Sequence, residues 1–439
     1  MSVRLLAAAT AEQGMLVDTT VRFIEDTLPL TGVRALAEST EPVGAAYIAD
    51  AASLGWFGML VDERHGGGSA SGIGLVDAAA VAAERGATLQ PGPFVGTNVV
   101  AHALSVAAIL PADQASGDET SGDETSGDET SGDETSGDET SGDQASGDET
   151  FGDRAPGEAG PHADLLARLV AGQAVAIWVA GAVGGLTPGA GEVTIRPAAA
   201  APGSGSALDG YVLDGEVRHV PDALGCDVLL VTGNGTDGLT QVLVDTTAPG
   251  VEIRALSGLD ITRRTCSVRL SGVHVPAGAL VGTPGTATEE LFARQTQVAA
   301  VLAAAESVGA MHRDFELAVE YARARIAFGR PIGSFQAIKH LLADTSLSLE
   351  MAKGLVTAAA EALGGGAPDG AELAHAAKAF VAEHSITLTH ACFQVFGGIG
   401  YTWEHDHHLF MRRLAADAVT YGCAQWHRAR LAERIGGVG

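Results

Sequence analysis

The amino-acid sequence predicts an α+β multidomain chain. It has an N-terminal helical domain, a middle antiparallel β-sandwich or barrel, and a C-terminal four-helix bundle. Apolar residues recur at the helical period toward both ends of the chain, and short Val-, Leu- and Ile-rich runs separated by turn residues fill positions 175–282. At about 150 residues per domain, the 439 residues call for two or three domains. The boundaries fall at 1–170 for the helical domain, 171–283 for the β-domain and 284–439 for the bundle.

In the first domain, Ala45 to Leu60 carries apolar residues at helical spacing and breaks at Arg64-His65-Gly66-Gly67-Gly68. Glycines there end a helix and let the backbone turn. An insertion at 113–158 interrupts the domain. Its core, 116–150, is six copies of Ser-Gly-Asp-Glu-Thr with one Ser-Gly-Asp-Gln-Ala variant at 141–145. A period of five fits no helical or solenoid repeat, and the unit has no large apolar residue to bury. It reads as a disordered acidic low-complexity segment, a tandem expansion in a tolerant surface loop rather than an interaction tail. After it, Ala163 to Leu169 gives one more short helical pattern.

The middle domain holds the runs Tyr211–Leu213, Asp227–Val231, Gln241–Val244, Val251–Leu256 and Ser267–Val275, with Asp214-Gly215 as a hairpin signal. In the last domain, Val298, Leu302, Ala305, Val308, Met311, Phe315, Val319 and Ala322 form one apolar stripe. A second runs from Ile338 through Leu349 and Val356 to Leu363. After Gly364-Gly365-Gly366 and Pro368, a third passes through Leu373, Ala377, Phe380 and Leu388. Long amphipathic helices with short connections make an antiparallel bundle.

The composition excludes several function classes. Net charge is −28, of which 113–158 contributes −15 (16 acidic residues and one arginine), leaving −13 on the remaining 393 residues. Phosphate backbones need a positive footprint, so nucleic acid is not a partner. Cys226, Cys266, Cys392 and Cys423 lack CxxC spacing, which argues against a disulfide framework or a zinc site and for a reducing compartment. No 18-residue apolar stretch exists to span a membrane, and the N-terminal apolar run is too short for a signal peptide. A cytoplasmic location is therefore expected. His405, His407 and His408, with Asp406 between them, read as an exposed polar loop rather than a metal site.

Two segments carry chemistry. The first runs Arg325-Ile326-Ala327-Phe328-Gly329-Arg330-Pro331-Ile332-Gly333-Ser334-Phe335-Gln336. It sets an arginine at a helix end beside a glycine break, then a glutamine opening the next helix. A guanidinium fork and helix N-terminal amides suit a pyrophosphate. The second, Gln394-Val395-Phe396-Gly397-Gly398-Ile399-Gly400-Tyr401, gathers glycines where a ligand or another backbone can approach closely. On the bland reading, Phe328 is core packing, Arg325 and Gln336 are helix-end salt bridging or capping, and the glycines mark a plain helix-to-loop transition.

Together, in a helix–β–helix chain, these segments resemble the RxxFGxxIxxFQ and QxxGGxGY pattern of the acyl-CoA dehydrogenase family. Leu54-Gly55-Trp56 with His65-Gly66-Gly67, and Leu259 to Arg264 through Val273-His274-Val275-Pro276, extend the resemblance over nearly the whole chain apart from the repeat. The resemblance implies a flavoprotein whose FAD lies between β-domain and bundle, with its adenine end held by a neighbouring subunit. Arg325, Phe328, Gln336, Gln394, Gly397 and Gly398 then correspond to cofactor-binding residues. It also implies an acyl-CoA substrate, α,β-dehydrogenation in fatty-acid or sterol side-chain β-oxidation, and electron-transfer flavoprotein as acceptor.

The sequence departs from the family where the chemistry sits. The family's base is a glutamate about 24 residues after the first glycine of the second motif, and Tyr421 stands there. Other members place it 29 residues before the phenylalanine of the first motif, and Ala299 stands there. Glu306 and Glu404 are weak candidates, each reading more simply as a surface or capping carboxylate. In the β-domain, Arg218-His219-Val220-Pro221 replaces the stretch that lies against the flavin ring, so the ring-facing aromatic is lost; Val179 to Gly184 replaces a second ring-side loop. Contacts to a neighbour's dinucleotide are kept and those to the chain's own ring are lost. The pattern suits a subunit paired with a second acyl-CoA dehydrogenase chain that supplies the base. The alternatives are a self-sufficient homotetramer with an unorthodox base, and a flavin-free binding or assembly protein of the same fold.

Replacing 113–158 by a short Gly-Ser linker should leave the melting temperature almost unchanged, because the segment has no apolar face and loop entropy varies slowly with length. A fall of many degrees in a thermal scan would show that the repeat is structural.

Overall fold

The computed structural model describes residues 10–39, 41–109, 162–181, 186, 192–199 and 208–436. The insertion at 113–158 lies outside the described residues.

The N-terminal helices are α1 (Ala11–Thr27), α2 (Leu30–Ala37), α3 (Ala45–Ser53), α4 (Gly74–Ala87), α5 (Phe94–Ile109) and α6 (Ala163–Val170). Thr10 caps α1, its hydroxyl accepting from the Gln13 amide at 3.1 Å. Trp56, fully buried, organises this domain: Phe23, Tyr47 and Phe94 meet its ring edge-on at 5.4, 6.2 and 5.8 Å.

The middle domain contains β1 (Ala176–Val179), β2 (Val193–Ala199), β3 (Leu208–Pro221), β4 (Val228–Gly235), β5 (Gly238–Asp245), β6 (Val251–Leu256), β7 (Thr265–Pro276) and β8 (Leu280–Val281). They form one sheet in the order β6-β7-β3-β2-β4-β5-β8, with β1 added on β4. Two expectations need correction. The sheet is mixed, because β1 pairs with β4 in parallel (Ala176 opposite Val228) and β2 meets β4 in parallel at Thr194 and Asn234. All four residues of β1 are buried, the pattern of a strand covered on both faces, so it shows no alternation to read. Asp214-Gly215 is also not a hairpin, since β3 runs straight through it. Gly215 (φ +152°) sits at a register shift where a side chain would collide with the Glu192 carbonyl, and Asp214 accepts from the Gly272 amide at 2.7 Å. The pair marks a β-bulge pinned to β7.

The C-terminal domain begins with the 39-residue α7 (Thr286–Ala324). A two-rung ribbon, β9 (Ile326–Ala327) and β10 (Arg330–Pro331), leads to α8 (Gln336–Gly364). Then come α9 (Gly370–Phe396), α10 (His407–Asp417) and α11 (Ala424–Gly436). The first stripe is the bundle core: Val298, Leu302, Ala305, Val308 and Met311 are all essentially inaccessible. Three long helices pack together, and the two shorter ones complete the bundle. The Arg294 guanidinium donates to the Leu363 carbonyl at 2.8 Å, tying the start of α7 to the end of α8. Tyr321, late in α7, meets Phe396, at the end of α9, at 5.5 Å. The end of α7, the start of α8 and the end of α9 therefore share one end of the bundle.

α4 and α7 cross backbone to backbone. A Cβ on Gly86 would stand 1.8 Å from the Glu306 carbonyl oxygen, and one on Gly309 1.9 Å from that of Ala83. Gly309→Ala should force these helices apart and cost about 1–3 kcal/mol. Gly354→Ala on α8, where nothing lies within 4 Å, should gain about 0.5–1 kcal/mol. Urea midpoints of the two variants test this, and equal midpoints would refute the crossing.

Candidate active site

A cleft of about 240 Å³ opens between the β-domain and the bundle, lined by Trp178, His219, Pro221, Asp417 and Tyr421 among others. Trp178 comes from β1, and its indole N–H donates to the Thr232 hydroxyl at 3.1 Å. Its ring lies 10° from parallel to that of Tyr421, with centroids 6.5 Å apart. The Arg218–Pro221 stretch brings His219, Val220 and Pro221 to this cleft but no indole or phenyl ring. Trp178 supplies one from a strand the sequence did not reveal. Of the loop Val179 to Gly184, residues 182–184 lie outside the described residues.

Tyr421 is held in the left-handed region (φ +56°) by two histidines. His427 Nε2 lies 2.9 Å from the Tyr421 carbonyl, which only accepts, so this nitrogen carries the proton. His427 Nδ1 then accepts from His375 Nδ1 at 2.8 Å. Burial depresses both imidazoles, His375 to about 4 and His427 to about 3, so both are neutral near pH 7. Burial also pushes the Tyr421 phenol far above its ordinary value.

Behind Tyr421 lies a buried charge cluster. Arg263, from the loop between β6 and β7, binds Asp417 of α10 at 2.7 Å, Glu306 of α7, and Asp222, after β3, at 3.5 Å. Arg85 of α4 reaches Glu306 at 3.3 Å and lies over the Trp56 ring at 5.1 Å. Arg413 of α10 binds Asp260 at 2.7 Å and the Thr262 hydroxyl at 2.6 Å, while Lys378 of α9 donates to the Asp417 carbonyl at 2.7 Å. Burial alone raises the Glu306 carboxyl, but Arg263 and Arg85 outweigh it and hold it below its ordinary value. Burial wins at Asp222, pushed up to about 6, and at Asp417, also raised.

The structure separates the sequence-derived candidates. Tyr421 lines the cleft; Ala299 is buried within α7 and does not line it. Glu404 is exposed, as expected. Glu306 is not a surface carboxylate: it is 2% exposed and committed to two arginines. Arg325, Phe328, Gln336, Gln394 and Gly398 all face outward at the shared bundle end, with Gly397 partly covered beside them. Phe328 is 95% exposed with φ +52°, which excludes core packing. The His405–His408 loop is not wholly exposed, since His407 and His408 are buried. Sequence reasoning missed the charge cluster; its only signal was an Asp-x-Thr-Arg-Arg run ahead of a β-strand.

Residues 10–109 match the acyl-CoA dehydrogenase N-terminal domain and residues 290–436 the acyl-CoA dehydrogenase C-terminal domain, together more than half the chain. The chain belongs to the acyl-CoA dehydrogenase family.

The acyl-CoA dehydrogenase FadE34 of Mycobacterium tuberculosis is 35% identical over 223 residues, covering 48% of this chain and 30% of that protein. The chain spans between about a third and a half of the length of this and two other curated relatives that it matches. Among solved structures, the ChsE4–ChsE5 complex of Mycobacterium tuberculosis superposes with a TM-score of 0.74 at 20% identity, covering 98% of this chain and 99% of that one. A glutaryl-CoA dehydrogenase of Mycobacterium smegmatis in complex with FADH2 gives 0.72 at 19%, covering 99% and 96%. These likenesses are of fold. No helix among the described residues is long and apolar enough to cross a membrane.

FAD is the cofactor of this flavoprotein family, and the outward residues fit it. Exposed Arg325, the exposed ring of Phe328, and Gln336 at the start of an α8 with no side-chain cap leave a cation, an aromatic face and open amides at the molecular edge.

Glu306→Gln should destabilise the protein by about 3–5 kcal/mol, because two buried guanidiniums lose a shared carboxylate. Chemical denaturation measures this; a change below about 1 kcal/mol, the range of a surface ion pair, would contradict the cluster.

Proposed function

We propose that this chain is a subunit of an FAD-dependent acyl-CoA dehydrogenase acting in fatty-acid or sterol side-chain β-oxidation, and that a second family chain beside it supplies the catalytic base. One observation carries this reading. Tyr421, which the family's spacing sets at the base position, lines the cleft, and the described carboxylates lining it, Asp260 and Asp417, are each bound to an arginine at 2.7 Å.

α,β-Dehydrogenation needs a carboxylate that takes the α-proton on one face of the Cα–Cβ bond. FAD, when bound, accepts the β-hydride on the other. Against burial, Arg413 holds the Asp260 carboxyl below its ordinary value, which makes it a weak proton acceptor; burial raises Asp417, but its carboxylate is bound to Arg263. A phenol raised by burial is scarcely ionised near neutrality. The space behind Tyr421, bordered by Asp222 and Arg263, is only about 10 Å³. An apolar acyl chain entering there would displace the charge cluster.

The chain's own contribution lies at the outward bundle end, where Arg325, Phe328, Gln336, Gln394, Gly397 and Gly398 hold the dinucleotide of the neighbouring chain. The solved relative that is itself a ChsE4–ChsE5 complex supports such pairing. Electron-transfer flavoprotein is the acceptor on this reading.

Tyr421→Phe and Glu404→Gln, in the active assembly, should each lower turnover with a good acyl-CoA substrate about tenfold or less, since loss of a general base typically costs about 10²–10⁴-fold. A roughly thousandfold drop in either, with flavin content and substrate binding intact, would show that this chain carries its own base.

A further inference from the structure

The turn after α9, Gly397–Tyr401, is a short 3-10 segment, and a buried pair that the cleft does not use lies beneath it. Asp314 of α7 and His407, the first residue of α10, are both fully inaccessible, with Oδ1 and Nδ1 2.7 Å apart. Buried Cys392, from α9, lies beside Asp314, so α7, α9 and α10 each contribute one group.

The imidazole fills the floor of the turn. It lies 20° from parallel to Phe393 at 5.8 Å and 5.0 Å from Phe396. Tyr401 packs edge-on against the same Phe393 at 4.3 Å. A Cβ on Gly400 would stand 3.2 Å from His407 Cδ2 and 3.1 Å from both Phe393 and Phe396. Since Nδ1 faces α7, the opposite Cδ2–Nε2 edge faces the turn, and Nε2 is buried with no hydrogen-bond partner among the described residues. Stability alone does not call for this arrangement, because a packed apolar pair would avoid both the buried charge and the unsatisfied nitrogen. What the bond to Asp314 adds is orientation. It fixes the ring's rotation, and the ring sets the height of the turn above the bundle end.

On the reading above that this bundle end meets a neighbour's dinucleotide, we propose that Asp314 and His407 are positioning residues. They hold the Gly397–Tyr401 turn, and with it Gln394 and the exposed edge of Gly398, in the geometry the dinucleotide requires. Neither touches the cofactor.

The test measures FAD affinity of the assembled oligomer by titration after flavin removal, together with the urea midpoint of each variant. His407→Phe keeps a ring but loses the bond, and should weaken FAD roughly tenfold, the size of one misplaced polar contact. His407→Asn, whose amide nitrogen takes the Nδ1 place, should recover most of that loss. Gly400→Ala leaves the pair intact but lifts the turn, and should weaken FAD to a similar degree. Arg325→Ala is the reference for the cross-subunit contact. If it weakens FAD while His407→Phe and Gly400→Ala leave affinity unchanged, the positioning role is overturned and the contact stands. If Arg325→Ala has no effect either, the cross-subunit reading falls and the positioning role with it. Affinity losses that track the urea midpoint in every variant, with no rescue by Asn, would reduce the pair to a structural element and overturn the inference.

Discussion

Arg263 is the point on which the three domains close. It leaves the β-domain between β6 and β7 and meets Glu306 of α7 and Asp417 of α10 in the bundle; Glu306 carries the connection on to Arg85 in the N-terminal domain. The cluster does not act by raw attraction. Desolvation consumes most of the Coulomb gain of a buried pair, and apolar residues of equal volume would often be as stable. Its effect is geometric, because each guanidinium presents a planar fork that admits few arrangements of its carboxylates. Leaving any member unpaired is costly, so the three domains are held in one relative placement.

That placement decides what the cleft can do. The charges sit where the wall behind Tyr421 would otherwise open, and the histidine pair His375–His427 fixes the Tyr421 carbonyl from the other side. Both devices stiffen the wall of the cleft, and the described carboxylates that line it are committed to arginines. At the far end of the bundle the balance is reversed. Exposed Arg325 and Phe328 bring charge and apolar surface to the molecular edge.

How much of this the sequence displayed depends on the range over which each signal acts. Val298 to Ala322 announced α7 because burial of one helical face writes a 3.6-residue period into the chain. Val251–Leu256 matched its strand residue for residue. Ala176–Val179 escaped notice because a strand buried on both faces carries no period. Asp214-Gly215 misled because the same dipeptide serves a hairpin or a bulge, and only the partner strand decides. Counting from Gly397 reaches Tyr421, which lines the cleft, since spacing along the chain is local information. The partners of Glu306 lie 221 residues before it and 43 before it, so no local pattern distinguishes that carboxylate from a solvated one. Trp178 was missed for the same reason: its role comes from facing Tyr421 across a cleft.

The central claim is that this chain is incomplete without a second member of its family. The most direct measurement is the visible absorption spectrum of the purified chain, produced alone and produced together with a neighbouring family member. The account predicts a colourless protein alone and a yellow, catalytically active complex on co-expression. A yellow chain that turns over an acyl-CoA thioester by itself would contradict it, as would a protein that stays colourless in both preparations.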